Sequence, residues 1–142
     1  MATQTAGTNA RAGHPSRRWT VAALEIIIAV NAVYGGIGLI RDGMGMPEEW
    51  LDPTPFTSWR WPGVFLLLVI AVPMAVAAAL EITRSRWAYA ASLAAGLAQV
   101  GWIVAQIAML QRYFFLQPML LGAGLVVVLL AVWSHRGQRL VA

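Results

Sequence analysis

Cysteine is absent from this chain, and so is lysine. Without cysteine there can be no disulfide, no thiol redox centre and no cysteine metal site. Without lysine, arginine alone supplies the net charge of +4. Charge of either sign is scarce: charged residues make up 11% of the 142 positions, against roughly 25% in soluble domains. Histidine occurs only as His14 and His135, outside the apolar stretches. That excludes a bis-histidine haem within the chain's apolar part and leaves no convincing metal-ligand set. No Ser-His-Asp set can be assembled among the apolar stretches, and no glycine-rich phosphate loop follows a strand. Gly35-Gly36-x-Gly38 sits in an apolar run and reads as helix packing. No catalytic residue, metal or cofactor is therefore expected. The basic balance does not point to nucleic acid either. The arginines cluster at the ends of apolar runs rather than along a stripe with interleaved aromatics.

What the chain has instead is hydrophobicity, at 59% of its residues. Four apolar stretches, at 20–40, 62–82, 87–110 and 113–133, are each bounded by arginine or a polar turn. About 20 residues at 1.5 Å rise cover the roughly 30 Å hydrocarbon core of a bilayer. The expected fold is all-α: an integral membrane four-helix bundle with a short amphipathic segment in the first extracytoplasmic loop. The expected organisation is a disordered cytoplasmic tail at 1–18, a transmembrane domain at 19–135 and a cytoplasmic tail at 136–142. The first apolar run exceeds the 7–15 residues of a signal-peptide core and lacks a small-x-small cleavage site, so it is expected to be a retained helix. Arg11, Arg17, Arg18, Arg84, Arg86, Arg136 and Arg139 fall on one side of such a bundle; Arg41, Arg60 and Arg112 fall on the other. The positive-inside rule then places both termini in the cytoplasm, as expected of a multi-pass protein of the cell (cytoplasmic) membrane.

The connection 41–61 is the one sizeable segment between spans. Pro47, Glu48 and Glu49 suit the first turn of a short helix. Trp50, Leu51, Phe56, Trp59 and Trp61 make it amphipathic, fit for headgroup depth. It reads as an interfacial cap, with a lid over an outward pocket as the alternative. Pro73, mid-span, predicts a kink. The turns at 84–86 and 111–112 are short and make their flanking helices antiparallel neighbours. The fourth helix has an alternative start at Pro118, capped by Gln117.

A polar side chain inside a bilayer needs a partner, so polar residues mark interior faces. Glu25, Ala29, Ala32 and Gly36 form one stripe of the first helix; Asn31, Gly35 and Gly38 form an adjoining one, with Tyr34 nearby. Glu25 is the one carboxylate well within a span, close enough to one end to reach water or an arginine such as Arg84 or Arg86; a structural ion pair or snorkelling acid is expected, with a proton-coupled site as the alternative. Glu81 is expected to pair with Arg84, three residues on. On the third span Ser92, Gly96, Gln99, Ile103 and Gln106 recur at helical spacing beside Trp102. Gln99 and Gln106, about 10 Å apart along the axis, can tie helices together or hold a polar ligand group. The candidate ligand-binding residues are Glu25, Asn31, Tyr34, Gln99, Trp102, Gln106 and Gln117.

The run Met46-Pro-Glu-Glu-Trp-Leu-Asp-Pro-Thr-Pro-Phe, then Trp61-Pro-Gly, Gly101-Trp-Ile with Gln106, and Leu116-Gln117-Pro118 resembles a group of uncharacterised four-span membrane proteins of high-GC Gram-positive bacteria. The resemblance covers roughly 38–122, with Arg41, Pro55, Phe56, Pro62, Gly63, Trp102, Gln106, Gln117 and Pro118 matching the pattern. DoxX-like proteins are similar at the level of architecture. Neither likeness implies a reaction. The expected role is a non-enzymatic accessory subunit whose partners are the lipid bilayer and a larger membrane complex or further copies of itself. The alternative is binding or transport of a small lipophilic or cationic solute, using Glu25 and the Gln99/Gln106 face. A lone acid in the first of four helices is similar to small multidrug-resistance transporters. This chain departs from them in its longer first loop, in the end of the helix that bears Glu25, and in the fourth-helix glycines. An enzymatic role finds least support, because one isolated carboxylate lacks a partner for acid–base work.

Overall fold

The computed structural model describes residues 15–112 and 116–139. The readings made above for 1–14, for 113–115 and for 140–142 lie outside those residues. The described residues are all-helical, with no strand. Helix α1 runs Pro15–Asp42, and the second span is built from α2 (Arg60–Leu66), a wide turn at Leu67–Ala71 and α3 (Val72–Ile82). Helices α4 (Ala88–Leu110) and α5 (Leu116–Arg139) complete the bundle. Both outer helices outrun the expected boundaries. Helix α1 starts before residue 18 because Pro15 fits a first helical turn, where its missing N–H has no intrahelical partner in any case. Helix α5 continues past 135 to Arg139 and begins at Leu116, ahead of Pro118.

Among the described residues, four segments are long and apolar enough to cross a membrane: Arg17–Gly45, Arg60–Ile82, Ala88–Leu110 and Gln117–Ser134. By length and composition this is the make-up of a multi-pass membrane protein. Helix α1 packs along the whole second span, α3 packs on α4, and α4 on α5, while α1 touches α5 more thinly. Arg17 caps that thin seam, its guanidinium lying 3.7 Å from the ring centroid of Trp133. The core where the helices meet is made of Ile28, Ala29, Ala32, Ile70, Ala71, Met74, Ala77, Ala95 and Val127. Its alanines permit close backbone approach, which matters in lipid, where apolar contact alone gives no preference for helix over lipid. Glycines extend the same device. A Cβ on Gly63 would meet the Gly36 carbonyl at 2.7 Å, and one on Gly96 would meet Val128 at 2.7 Å.

The kink predicted at Pro73 takes a specific form. Proline offers no N–H and its ring crowds the carbonyl four residues back. The helix widens one turn early, so that the Val72 N–H bonds to Leu67 O, five residues back.

The 43–59 connection folds down on the bundle. Gly43, Met44 and Gly45 all have positive φ, and the Asp42 carboxylate accepts from the Met44 N–H at 2.9 Å to hold that reversal. A second short 3-10 turn, Glu48–Leu51, follows the one at Gly43–Gly45; Pro47 stands just ahead of it in extended backbone rather than inside it. Leu51 and Trp59 are buried with Leu39, ringed by Met46, Trp50, Phe56, Leu66 and Leu110. The Trp59 indole donates to Pro47 O at 3.2 Å, and its side chain lies so close to Gly43 that a Cβ there would come within 2.7 Å of its Cδ1. Arg112 reaches from the far connection to within 5.1 Å of the Trp50 ring centroid. Of the aromatics expected to face headgroups, Trp61 does turn outward, whereas Trp59 seals the bundle end.

Candidate functional site

At the end of the bundle where α1 begins and α3 ends, four polar side chains from three helices converge. Glu25 on α1 is fully buried at 0% exposure, and Glu81 on α3 is nearly so. Ser92, also fully buried, projects from α4 and its hydroxyl donates to Glu81 Oε1 at 3.4 Å. The same hydroxyl neighbours the Glu25 carboxyl, although no contact there meets hydrogen-bond geometry, and both oxygens of Glu25 lack a bonded partner. Arg18, one turn into α1 and a third exposed, sets its Nε 3.8 Å from Glu81 Oε2.

Local structure explains these partnerships. Glu25 belongs to the stripe with Ala29, Ala32 and Gly36, all of which are buried, so helical periodicity aims the carboxyl inward. Ser92 faces it because α4 presents Ala88, Ser92, Ala95, Gly96, Gln99 and Ile103 to the interior. The expected Glu81–Arg84 pair does not form. Arg84 lies beyond the end of α3 with φ of 54°, closing the helix through the Ser85 N–H to Leu80 O bond at 2.9 Å. A residue in that conformation no longer stands on the helix face one turn above Glu81. Arg18 takes its place. Arg84 and Arg86 are exposed, and Arg86 lies beside the Trp87 ring instead of Glu25.

Of the two buried carboxyls, only Glu81 has the guanidinium of Arg18 in contact. An ionised carboxylate without a partner is among the least favourable groups to enclose in apolar surroundings. With both carboxyls ionised, the cluster would carry one more negative charge than Arg18 supplies. Among the described residues no group of three or more acidic or histidine side chains has metal-holding geometry.

The remaining candidates divide by depth. Gln99 is buried at 3% exposure, with its amide nitrogen donating to Leu120 O of α5 at 3.4 Å. Its Oε1 and the Trp102 Nε1 are both buried with no bonded partner. Gln106 is half-buried and Gln117 buried. Asn31 and Tyr34 correct the expectation of an interior stripe: Asn31 is exposed and Tyr34 is 73% exposed, so neither joins Glu25. The Asn31 amide is satisfied on its own helix by donating to Ile27 O at 2.8 Å, which removes the need for an interhelical partner. Sequence reasoning missed Ser92 and Arg18 as members of the cluster. The signal available for Arg18 was topological: the basic pair Arg17-Arg18 and Glu81 must lie at the same end of an antiparallel bundle.

A second feature lies on the outer surface between α1 and the second span. A groove of about 460 Å³ is lined by Ala29, Val30 and Val33 on one wall and by Ala71, Ala75 and Ala79 on the other. The last three recur at four-residue intervals, the small-xxx-small spacing that admits a neighbouring helix.

No family model, curated protein or solved structure matches this chain at a significant level.

Proposed function

We propose that this chain is a non-enzymatic accessory subunit of the bacterial cytoplasmic membrane, with both termini in the cytoplasm, that binds a transmembrane helix of a larger partner. One observation carries the reading: the outward-facing groove in which Ala71, Ala75 and Ala79 leave room against Ala29 and Val33. In lipid, leucine-rich surfaces are satisfied by acyl chains, whereas a trough of small side chains gains van der Waals contact when a second helix enters it. The test is a photo-crosslinking amino acid placed at Ala75 and, separately, at exposed Leu129 of α5. A stoichiometric protein adduct from Ala75 and none from Leu129 is expected. Adducts to lipid alone from both positions overturn the reading.

A second reading rests on the enclosed carboxyl of Glu25, which has no bonded partner. A cluster that would hold one unbalanced negative charge with both carboxyls ionised is the chemistry of a site that binds a cation or exchanges a proton. Titrating the purified protein with lipophilic cations while following proton release tests it. Release that disappears in Glu25→Gln supports the reading, and absence of release from the unaltered chain ends it.

A further inference from the structure

The middle of the bundle carries a polar pair that neither reading uses. Gln99 and Trp102 stand three residues apart on α4, which makes them neighbours on one helix face, with Cβ atoms about 5–6 Å apart. The Gln99 amide nitrogen is committed to Leu120 O at 3.4 Å. That bond also settles which end of the amide is which, since the reverse orientation would set two carbonyl oxygens against each other. It leaves Oε1 as a buried acceptor with no partner, while Trp102 Nε1 is a buried donor with none. Around them the surfaces are hydrocarbon: the Trp102 ring packs on the core cluster that includes Ile28, Met74 and Val127.

We propose that this point is a hydroxyl-binding site, in which one O–H group accepts from Trp102 Nε1–H and donates to Gln99 Oε1. The choice of group follows from the donor and acceptor count. A carbonyl ligand satisfies the indole and leaves the amide oxygen alone. An ammonium satisfies the amide oxygen and leaves the indole. A hydroxyl does both with one atom. The apolar surroundings disfavour any polar group beyond the one that these two atoms can bond. The hydroxyl belongs either to a buried water or to a lipophilic alcohol or phenol entering from the bilayer, and half-buried Trp102 offers the second a path. This inference does not depend on the alanine groove or on Glu25.

The experiment uses the full chain in lipid nanodiscs with 15N-labelled tryptophan, assigning the Trp102 indole N–H line by its loss in Trp102→Phe. Addition of 1-dodecanol, with dodecane as control, separates the two sources. A shift of that line with the alcohol and none with the alkane identifies a ligand hydroxyl. A magnetisation-transfer peak to water that the alcohol leaves unchanged identifies water. In either case the falls in unfolding midpoint for Gln99→Leu and Trp102→Phe should add to more than the fall of the double variant, because one bridge is lost only once. Should Trp102→Phe fail to fold, Gln99→Met keeps the indole, and its N–H line should move as the shared hydroxyl loses its acceptor. No response to alcohol, no transfer from water and an indole line indifferent to Gln99→Met would overturn the proposal.

Discussion

Among the described residues, Arg18 is the only basic side chain in ion-pair contact with an acid, and it meets the carboxylate nearer the bundle end. Its partial exposure places this pair between a solvated surface contact, of about 0–1 kcal/mol, and a buried pair, where loss of one partner costs about 3–5 kcal/mol. Arg18→Ala is expected to destabilise the bundle by about 1–2 kcal/mol, read as a lower unfolding midpoint in detergent micelles. Glu25→Gln should behave in the opposite way. The amide has the carboxyl's shape without its charge and can donate to Glu81 or Ser92, so the midpoint is expected to hold or rise; a clear fall would mean that Glu25 has an attractive partner. Glu25 was legible as an interior residue because its helical stripe is otherwise small and apolar. Asn31 and Tyr34 were misread for a physical reason. A polar side chain can be satisfied by its own helix, as Asn31 is by Ile27 O, and the one-dimensional pattern does not distinguish that from an interhelical bond.

At the level of elements, contact between helices is set by where a side chain is missing. Gly96 on α4 sits against Gly124 O and Val128 of α5, where an added Cβ would come to 3.2 and 2.7 Å, whereas a Cβ on Gly101 meets nothing within 4 Å. Gly96→Val should overpack the α4–α5 contact and destabilise by about 1–3 kcal/mol. Gly101→Ala on the same helix should stabilise by about 0.5–1 kcal/mol, through helix propensity alone. Equal effects from the two would mean that α4 and α5 are not in register as described. Element identity was legible from the apolar runs, and the proline kink from Pro73. The early widening at Leu67–Ala71 and the inward turn of Trp59 were not. Pro73 signals that the helix bends but not which turn absorbs the bend, and the inward turn of Trp59 answers to the positive-φ turn at Gly43 beside its ring.

For the whole molecule, the absence of cysteine gives a clean background for mapping which end faces which compartment. Single cysteines replacing exposed Thr83 and exposed Glu48 should differ in intact cells. A membrane-impermeant maleimide is expected to label position 48 and to label position 83 only after lysis. The reverse pattern overturns the cytoplasmic placement of the termini, and labelling of both in intact cells removes the membrane barrier between them. Length, apolar content and the spacing of arginines were enough by themselves to specify four membrane-length helices in an all-α chain, because the hydrocarbon solvent imposes the same length and backbone pairing on any spanning segment. Only the tertiary structure decided that Arg18 rather than Arg84 meets Glu81, that Ser92 stands beside two carboxyls, and that the loop closes one end of the bundle. Those outcomes depend on rotations and offsets between helices, and close packing of small side chains sets these across distances that no local pattern records.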